Sequence, residues 1–191
     1  MIDLPTFAVP GSFEGAFMDA GFTQRAMQSA DYIPRKGSRF KVGFTFGPYT
    51  PAQGRVMVSR LIAGKQGGVR VKLPLLHDQG APGSPVTTSA TGRTLVLSGL
   101  TPGYVIEEGY WLSLVKSGQH FLHSVGVGAT ADGVGTATIE LNELLRDSFA
   151  AGTVVNLEEP QVEGLLEGDE WAWRFSVDRV IPIEFVIEEQ K

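Results

Sequence analysis

Cysteine is absent from all 191 residues, so this chain has no disulfide, no thiolate nucleophile and no thiolate-held metal. That composition fits a reducing compartment. No run approaches the ~18 consecutive apolar residues of a membrane-spanning helix, so no membrane association is expected. Basic side chains are outnumbered, with 16 Lys and Arg against 21 Asp and Glu, a net charge of −5 and a pI near 5.2. Proteins that grip nucleic-acid phosphates carry a basic face, and the overall sign argues against that role. One small basic patch, Arg35, Lys36, Arg39 and Lys41, reads as a solvated strand edge. Leu and Ala do not dominate, which argues against a helical bundle. Met1-Ile2-Asp3-Leu4-Pro5 has neither the basic segment nor the long apolar core of a signal peptide.

What the chain does hold is turn chemistry. The 24 Gly and 11 Pro suit many short strands. Hydrophobic residues make up 42% and charged residues 19%, the balance of a folded chain rather than a disordered one. The length suits one large or two small domains and allows roughly 70% of the unfolded surface to be buried.

Residues 1–20 read as an extended arm with one weak strand. Its Phe7, Phe13 and Phe17 need burial, in this chain or in a neighbouring subunit. Arg39–Phe46 is the cleanest strand, with Phe40, Val42, Phe44 and Phe46 on one face. Gly47-Pro48-Tyr49 breaks it. Thr50 then sits at an N-cap with Pro51 at the first helical residue. Ala52–Ala63 is helix-compatible, with Val56, Ser59 and Ala63 on one side and Gly64 as the stop. Val69, Val71 and Leu73 alternate with Arg70 and Lys72 as a further strand.

Residues 75–93, rich in Gly and Pro, read as a linker. The texture then changes. Thr94–Leu97, Trp111–Val115, Phe121–Val127, Thr136–Leu141, Val154–Leu157 and Gln161–Leu165 read as short strands between turns, the spacing of a small barrel or sandwich. Asn142–Ala151 is the only helical possibility among them. After Gly168-Asp169-Glu170, Trp171, Trp173, Phe175 and Val177 form one alternating series, and Ile183, Phe185 and Ile187 another. Both are expected to pair with the 38–73 strands. The chain is therefore a split domain with an insertion.

No catalytic constellation emerges. His120 and His123 stand three apart on a strand and face opposite ways, so they cannot share a metal. His77-Asp78 lies in the linker and reads as solvated. Gly126-Val127-Gly128-Ala129-Thr130-Ala131 matches a loose dinucleotide pattern, but Asp132-Gly133-Val134-Gly135 follows where a helix is required, so it reads as a hairpin loop. Glu107-Glu108, Glu158-Glu159 and Glu188-Glu189 are adjacent carboxylates, which diverge on strands and read as an acidic rim. No cofactor, metal or enzymatic activity is expected. Trp111 and Tyr110 are the aromatic candidates for a ligand contact, while Trp171 and Trp173 read as core.

The order of these signals resembles the distal tail proteins of long-tailed, non-contractile bacteriophages, often called minor tail proteins. The carrying segments are Arg39-Phe40-Lys41-Val42, Pro51–Gly64 with Gly68–Leu73, and Trp173-Arg174-Phe175. The insert adds Gly92-Arg93-Thr94-Leu95-Val96-Leu97, Gly109-Tyr110-Trp111-Leu112-Ser113-Leu114, Phe121-Leu122-His123-Ser124-Val125, Asp132-Gly133-Val134-Gly135-Thr136-Ala137-Thr138-Ile139 and Leu145-Arg146. The resemblance covers about residues 20–190. Tyr110 departs from it, since Asp is common after that Gly.

The resemblance implies a mainly β fold: a tail-tube-like β-sandwich with one flanking helix, residues 1–75 plus 169–191, interrupted by an OB-like barrel, residues 76–168. It further implies a structural virion protein, assembled in the host cytoplasm into a hexameric ring at the distal end of the tail tube. The implied partners are the tube protein and the tail-tip or baseplate hub proteins, with DNA passing through unbound. Phe7, Phe13, Phe17, Arg35 and Lys36 are the expected subunit-interface residues. The alternative is a carbohydrate-binding module that reads the host surface through Tyr110 and Trp111 of the insert.

Overall fold

The computed structural model describes residues 1–27, 29–75, 77–173 and 181–190. The described residues form β1 (Ile2–Asp3), β2 (Pro10–Met18), β3 (Phe22–Arg25), β4 (Ala30–Ile33), β5 (Arg39–Tyr49), α1 (Pro51–Gly67), β6 (Val69–Lys72), β7 (Gly83–Thr91), β8 (Thr94–Leu100) and β9 (Val105–Ile106). They continue with β10 (Trp111–Lys116), β11 (Gln119–Val127), β12 (Ala129–Thr130), β13 (Ala137–Leu141), β14 (Val154–Asn156), β15 (Gln161–Leu166) and β16 (Ile181–Glu189). The fold is mainly β, with one helix and a small closed barrel, as expected. The chain divides into two compact units. One is Met1–Ala16, Phe40–Leu76 and Gln161–Gln190; the other is Phe17–Arg39 with His77–Pro160.

The first unit is a six-stranded sheet in the order β1-β6-β15-β16-β5-β2. Alternation in β5 buries Phe40, Val42, Phe44 and Phe46. Antiparallel β16 sets Ile187 opposite Val42, Phe185 opposite Phe44 and Ile183 opposite Phe46. The Phe46 and Phe185 rings stack at 5.3 Å. A register shift near Gly47-Pro48 lets β5 run on to Tyr49 rather than end at Phe46. The Trp171–Val177 strand expected from the sequence is not continuous: Trp171–Trp173 lie outside any strand, and 174–177 fall outside the described residues.

Helix α1 begins with a capping box. Gln53 N donates to Thr50 Oγ1, and Thr50 N donates to Gln53 Oε1 at 3.2 Å. Its buried stripe is Gly54, Met57, Val58, Leu61 and Gly64, spaced for one helical face. This corrects the face expected from the sequence: Val56, Ser59 and Ala63 point to solvent. Gly64 does not stop the helix either, which continues to Gly67. A side chain at Gly64 would overlap Val69 Cγ2, so this glycine admits a close approach.

In the second unit, β10-β11-β13-β8-β7-β14 closes into a barrel. Leu95, Leu97, Leu112, Leu114, Ile139 and Leu157 fill it and are fully buried. Three expectations change here. The linker expected at 75–93 contains β7, a barrel strand; its register shifts at Gly83/Val86 and Thr87/Ser89 break the alternation that marks strands in sequence. Asn142–Ala151 forms no helix. Its polar groups bond outward instead: Leu145 N donates to Gly92 O, and Asn142 Nδ2 donates to Ser124 Oγ. Gln161–Leu165 is a strand, but it pairs with β6 and β16 of the first unit, so the insert ends at Pro160 rather than 168.

The Gly64 packing gives a sign test. Gly→Ala inside a helix ordinarily stabilises by about 1 kcal/mol. Gly64→Ala is expected to destabilise instead, by about 1–3 kcal/mol for overpacking, read as a lower urea midpoint at unchanged m-value.

Candidate functional site

The expected interface residues separate into two groups. Phe7 packs edge-on against Tyr49 at 5.6 Å, and Phe13 is half-buried on β2, so both serve the first unit itself. Phe17, Arg35 and Lys36 are exposed in the second unit. Arg35 lies over the Phe22 ring at 5.4 Å, a cation–π contact.

That ring belongs to a hairpin the sequence did not announce. Among the described residues, strands β3 and β4 pair only with each other, Phe22 opposite Ile33 and Arg25 opposite Ala30. The root of the hairpin is fixed by Asp19. Its carboxylate accepts from Gly21 N and from the Tyr32 hydroxyl, both at 2.8 Å, and from Ser38 Oγ at 3.2 Å. The Gly21 and Tyr32 bonds hold the Asp19 pKa below its ordinary value, and the same bond raises that of Tyr32. The weak alternation of Phe22-Thr23-Gln24-Arg25 and Ala30-Asp31-Tyr32-Ile33 was the available signal.

Tyr110 and Trp111 are both half-buried. Tyr110 packs on the barrel core, and the His77 ring stands 6.3 Å from it. Trp111 is held through its backbone by buried Gln79, a residue sequence reasoning passed over. Trp111 N donates to Gln79 Oε1, and Gln79 Nε2 donates to Trp111 O, each at 2.8 Å, a side-chain imitation of a strand pair. Gln79 Nε2 also donates to Leu157 O, and the Tyr104 hydroxyl donates to Gln79 O. Burial, reinforced by Tyr110, Asp78 and Glu158, pushes the Tyr104 pKa up to about 12. Nothing in the local sequence distinguishes Gln79 from a loop residue.

His123 and His120 fall on opposite faces of β11. His123 shares its parity with core residues Phe121 and Val125 and is fully buried. Its Nδ1 lies 2.6 Å from Oε1 of buried Glu143, and Phe149 meets its ring edge-on. Among the described residues, His123 Nε2 and Glu143 Oε2 have no partner. His120 meets Ser113 Oγ through Nδ1 at 3.3 Å. The glycine-rich stretch carries β12, not a helix: Gly128 lets the chain pass against Ile106 O, and Asp132 Oδ1 accepts from Val134 N and Thr136 N. Among the described residues, no three His, Asp or Glu side chains cluster as metal ligands.

No protein-family model matches the chain, and no curated protein is significantly similar to it.

Two measurements probe this unit. Glu143→Leu leaves a buried imidazole without its partner and is expected to cost about 1–3 kcal/mol, whereas His123→Leu with Glu143→Leu removes both groups and recovers most of that loss. Equal losses for single and double variants in urea unfolding would refute the pairing. Tyr104 is raised in the folded state, from an ordinary 10.0 to about 12. Its contribution to stability is therefore complete below pH 10 and lost as pH rises towards 12. Tyr104→Phe is expected to flatten that part of the alkaline stability profile.

Proposed function

We propose that this chain is a structural virion protein that forms a hexameric ring at the distal end of a phage tail tube, linking the tube protein to tail-tip or baseplate hub proteins while DNA passes through unbound. In this reading it works in the virion tail, after assembly in the host cytoplasm. The observation that carries it is the edge of the first unit's sheet. β2 spans nine residues at the end of the strand order, and among the described residues no strand pairs with its outer side. A long, open edge is a template for pairing with another chain, and repeated use of one edge around an axis closes a ring. The family resemblance supplies the phage context, and the mainly β fold with one helix and a small barrel agrees with it.

A second reading, carbohydrate recognition by the barrel, rests on the His77–Tyr110 ring pair beside half-exposed Trp111. Loss of glycan-array binding in Trp111→Ala would support it.

Native mass spectrometry and negative-stain imaging, with and without the tube protein, are expected to show six-membered rings. A chain that stays monomeric in both conditions overturns the ring.

A further inference from the structure

Strands β3 and β4 are exposed at every position. A two-stranded hairpin packed against nothing is marginal in water. This one nonetheless presents Phe22, Tyr32 and Ile33 to solvent, with Met27 fully exposed in its turn. It is pinned at its root by Asp19 and uncovered along its length. Its surroundings are also of unusual sign. Between residues 17 and 39 lie Arg25, Arg35, Lys36 and Arg39 against Asp19 and Asp31, in a chain of net charge −5.

The first unit holds a surface of complementary character. A groove crosses β2, β5 and β16, lined in part by Ser12, Glu14, Gly43, Thr45, Glu184 and Val186. Gly43 leaves its floor low: a side chain there would fill the space between Val186 and Glu14. Among the described residues, neither Glu14 nor Glu184 meets a cation of its own unit.

We propose that the β3–β4 hairpin of one copy docks in the β2–β5–β16 groove of a second copy, with Arg35 and Lys36 against Glu14 and Glu184. The apolar side of the hairpin is covered by the same contact. The opposite signs of the two surfaces select another copy of this acidic chain as the occupant. The contact joins two different patches, the heterologous kind that propagates around a ring. It rests on the ring reading and deepens it by naming the surfaces that meet.

The absence of native cysteine makes the test direct. Lys36→Cys and Glu184→Cys, made in separate chains, mixed and oxidised, are expected to give a disulfide-linked dimer. No cross-link between the two, in a protein whose wild type builds rings, overturns the docking and leaves the ring standing. A cross-linked dimer from the mixed variants of a protein whose wild type builds no rings supports the docking and sinks the ring. A cross-linked monomer from a chain carrying both cysteines, with no dimer from the mixture, also overturns the proposal. Charge reversal at exposed side chains provides a second arm. Arg35→Glu with Lys36→Glu is expected to weaken assembly about 10- to 100-fold, as like charges meet. Adding Glu14→Lys and Glu184→Lys to that chain is expected to restore it; failure of the swap to restore assembly counts against the contact.

Discussion

The first unit depends on how closely its elements approach one another at three glycines. Val69 is fully buried, and glycine stands where α1 passes it most tightly. Gly64 lets α1 press on the Val69 methyls. Gly68, with φ at 79°, turns the helix into β6 beside Met1 and the carbonyl of Gly164. Gly164 in turn lets β15 run against the Glu188 carbonyl of β16. A methyl group at any of these points has nowhere to go, because packed interiors absorb extra volume only through shifts of backbone or rotamer. The contact of α1 with the sheet, the turn from α1 into β6 and the run of β15 against β16 each rest on such a close approach.

The same crossing explains how a barrel can be inserted without loss of the sheet. β6 and β15 pair antiparallel, with Lys72 opposite Gln161, so the excursion leaves and re-enters from adjacent positions. Closing a longer loop is inexpensive, about 0.6 kcal/mol for each doubling of length, provided that its ends are already neighbours. Arg70 strengthens the junction: its Nε donates to buried Glu163 at 2.9 Å, and Asp3 on β1 stands 3.6 Å from its guanidinium. The ion pair ties three consecutive strands across one face of the sheet.

Much of this was legible in the residues, and what was not has a common cause. Alternation announced β5, β6 and β16, because a half-buried strand leaves a period of two in the sequence, while β8, β10, β11 and β13 were announced as short apolar runs between turn signals. β7 left no such trace, since two register shifts move its inward positions off that period. β15 was readable as a strand, yet its partners were not: Val162, Gly164 and Leu166 would suit the barrel as well as the sheet, and pairing across such distances is invisible to local pattern. The face of α1 was misread because Gly54 and Gly64 count as breakers by propensity but as contact points by packing. Gln79 and Glu143 were overlooked for the same reason. Their importance lies in which backbone or ring they meet, Trp111 and Leu157 for one and His123 for the other. The resemblance to tail proteins, in contrast, rests on short strings spread along the chain, so it bears on architecture more than on any one side chain.

The distribution of satisfied and unsatisfied surface then carries the functional argument. Inside the barrel, polar groups are tied down locally by Gln79, Asn142 and Glu143. In the sheet, even the Phe40 amide is met, by the carboxylate of Glu189 at 2.8 Å. Among the described residues, the outer edge of β2 and the full length of the β3–β4 hairpin are left open. Natural β proteins shield edges with proline, charge or brevity. β2 has Pro10 only at its first residue and Glu14 as its single charge over nine positions. An edge so weakly defended contrasts with the strands paired on both sides in the middle of the sheet, and it is open to pairing with another chain. A scaffold reading accounts for that contrast, whereas a reading based on a solitary binding site on the barrel leaves both open surfaces without a purpose.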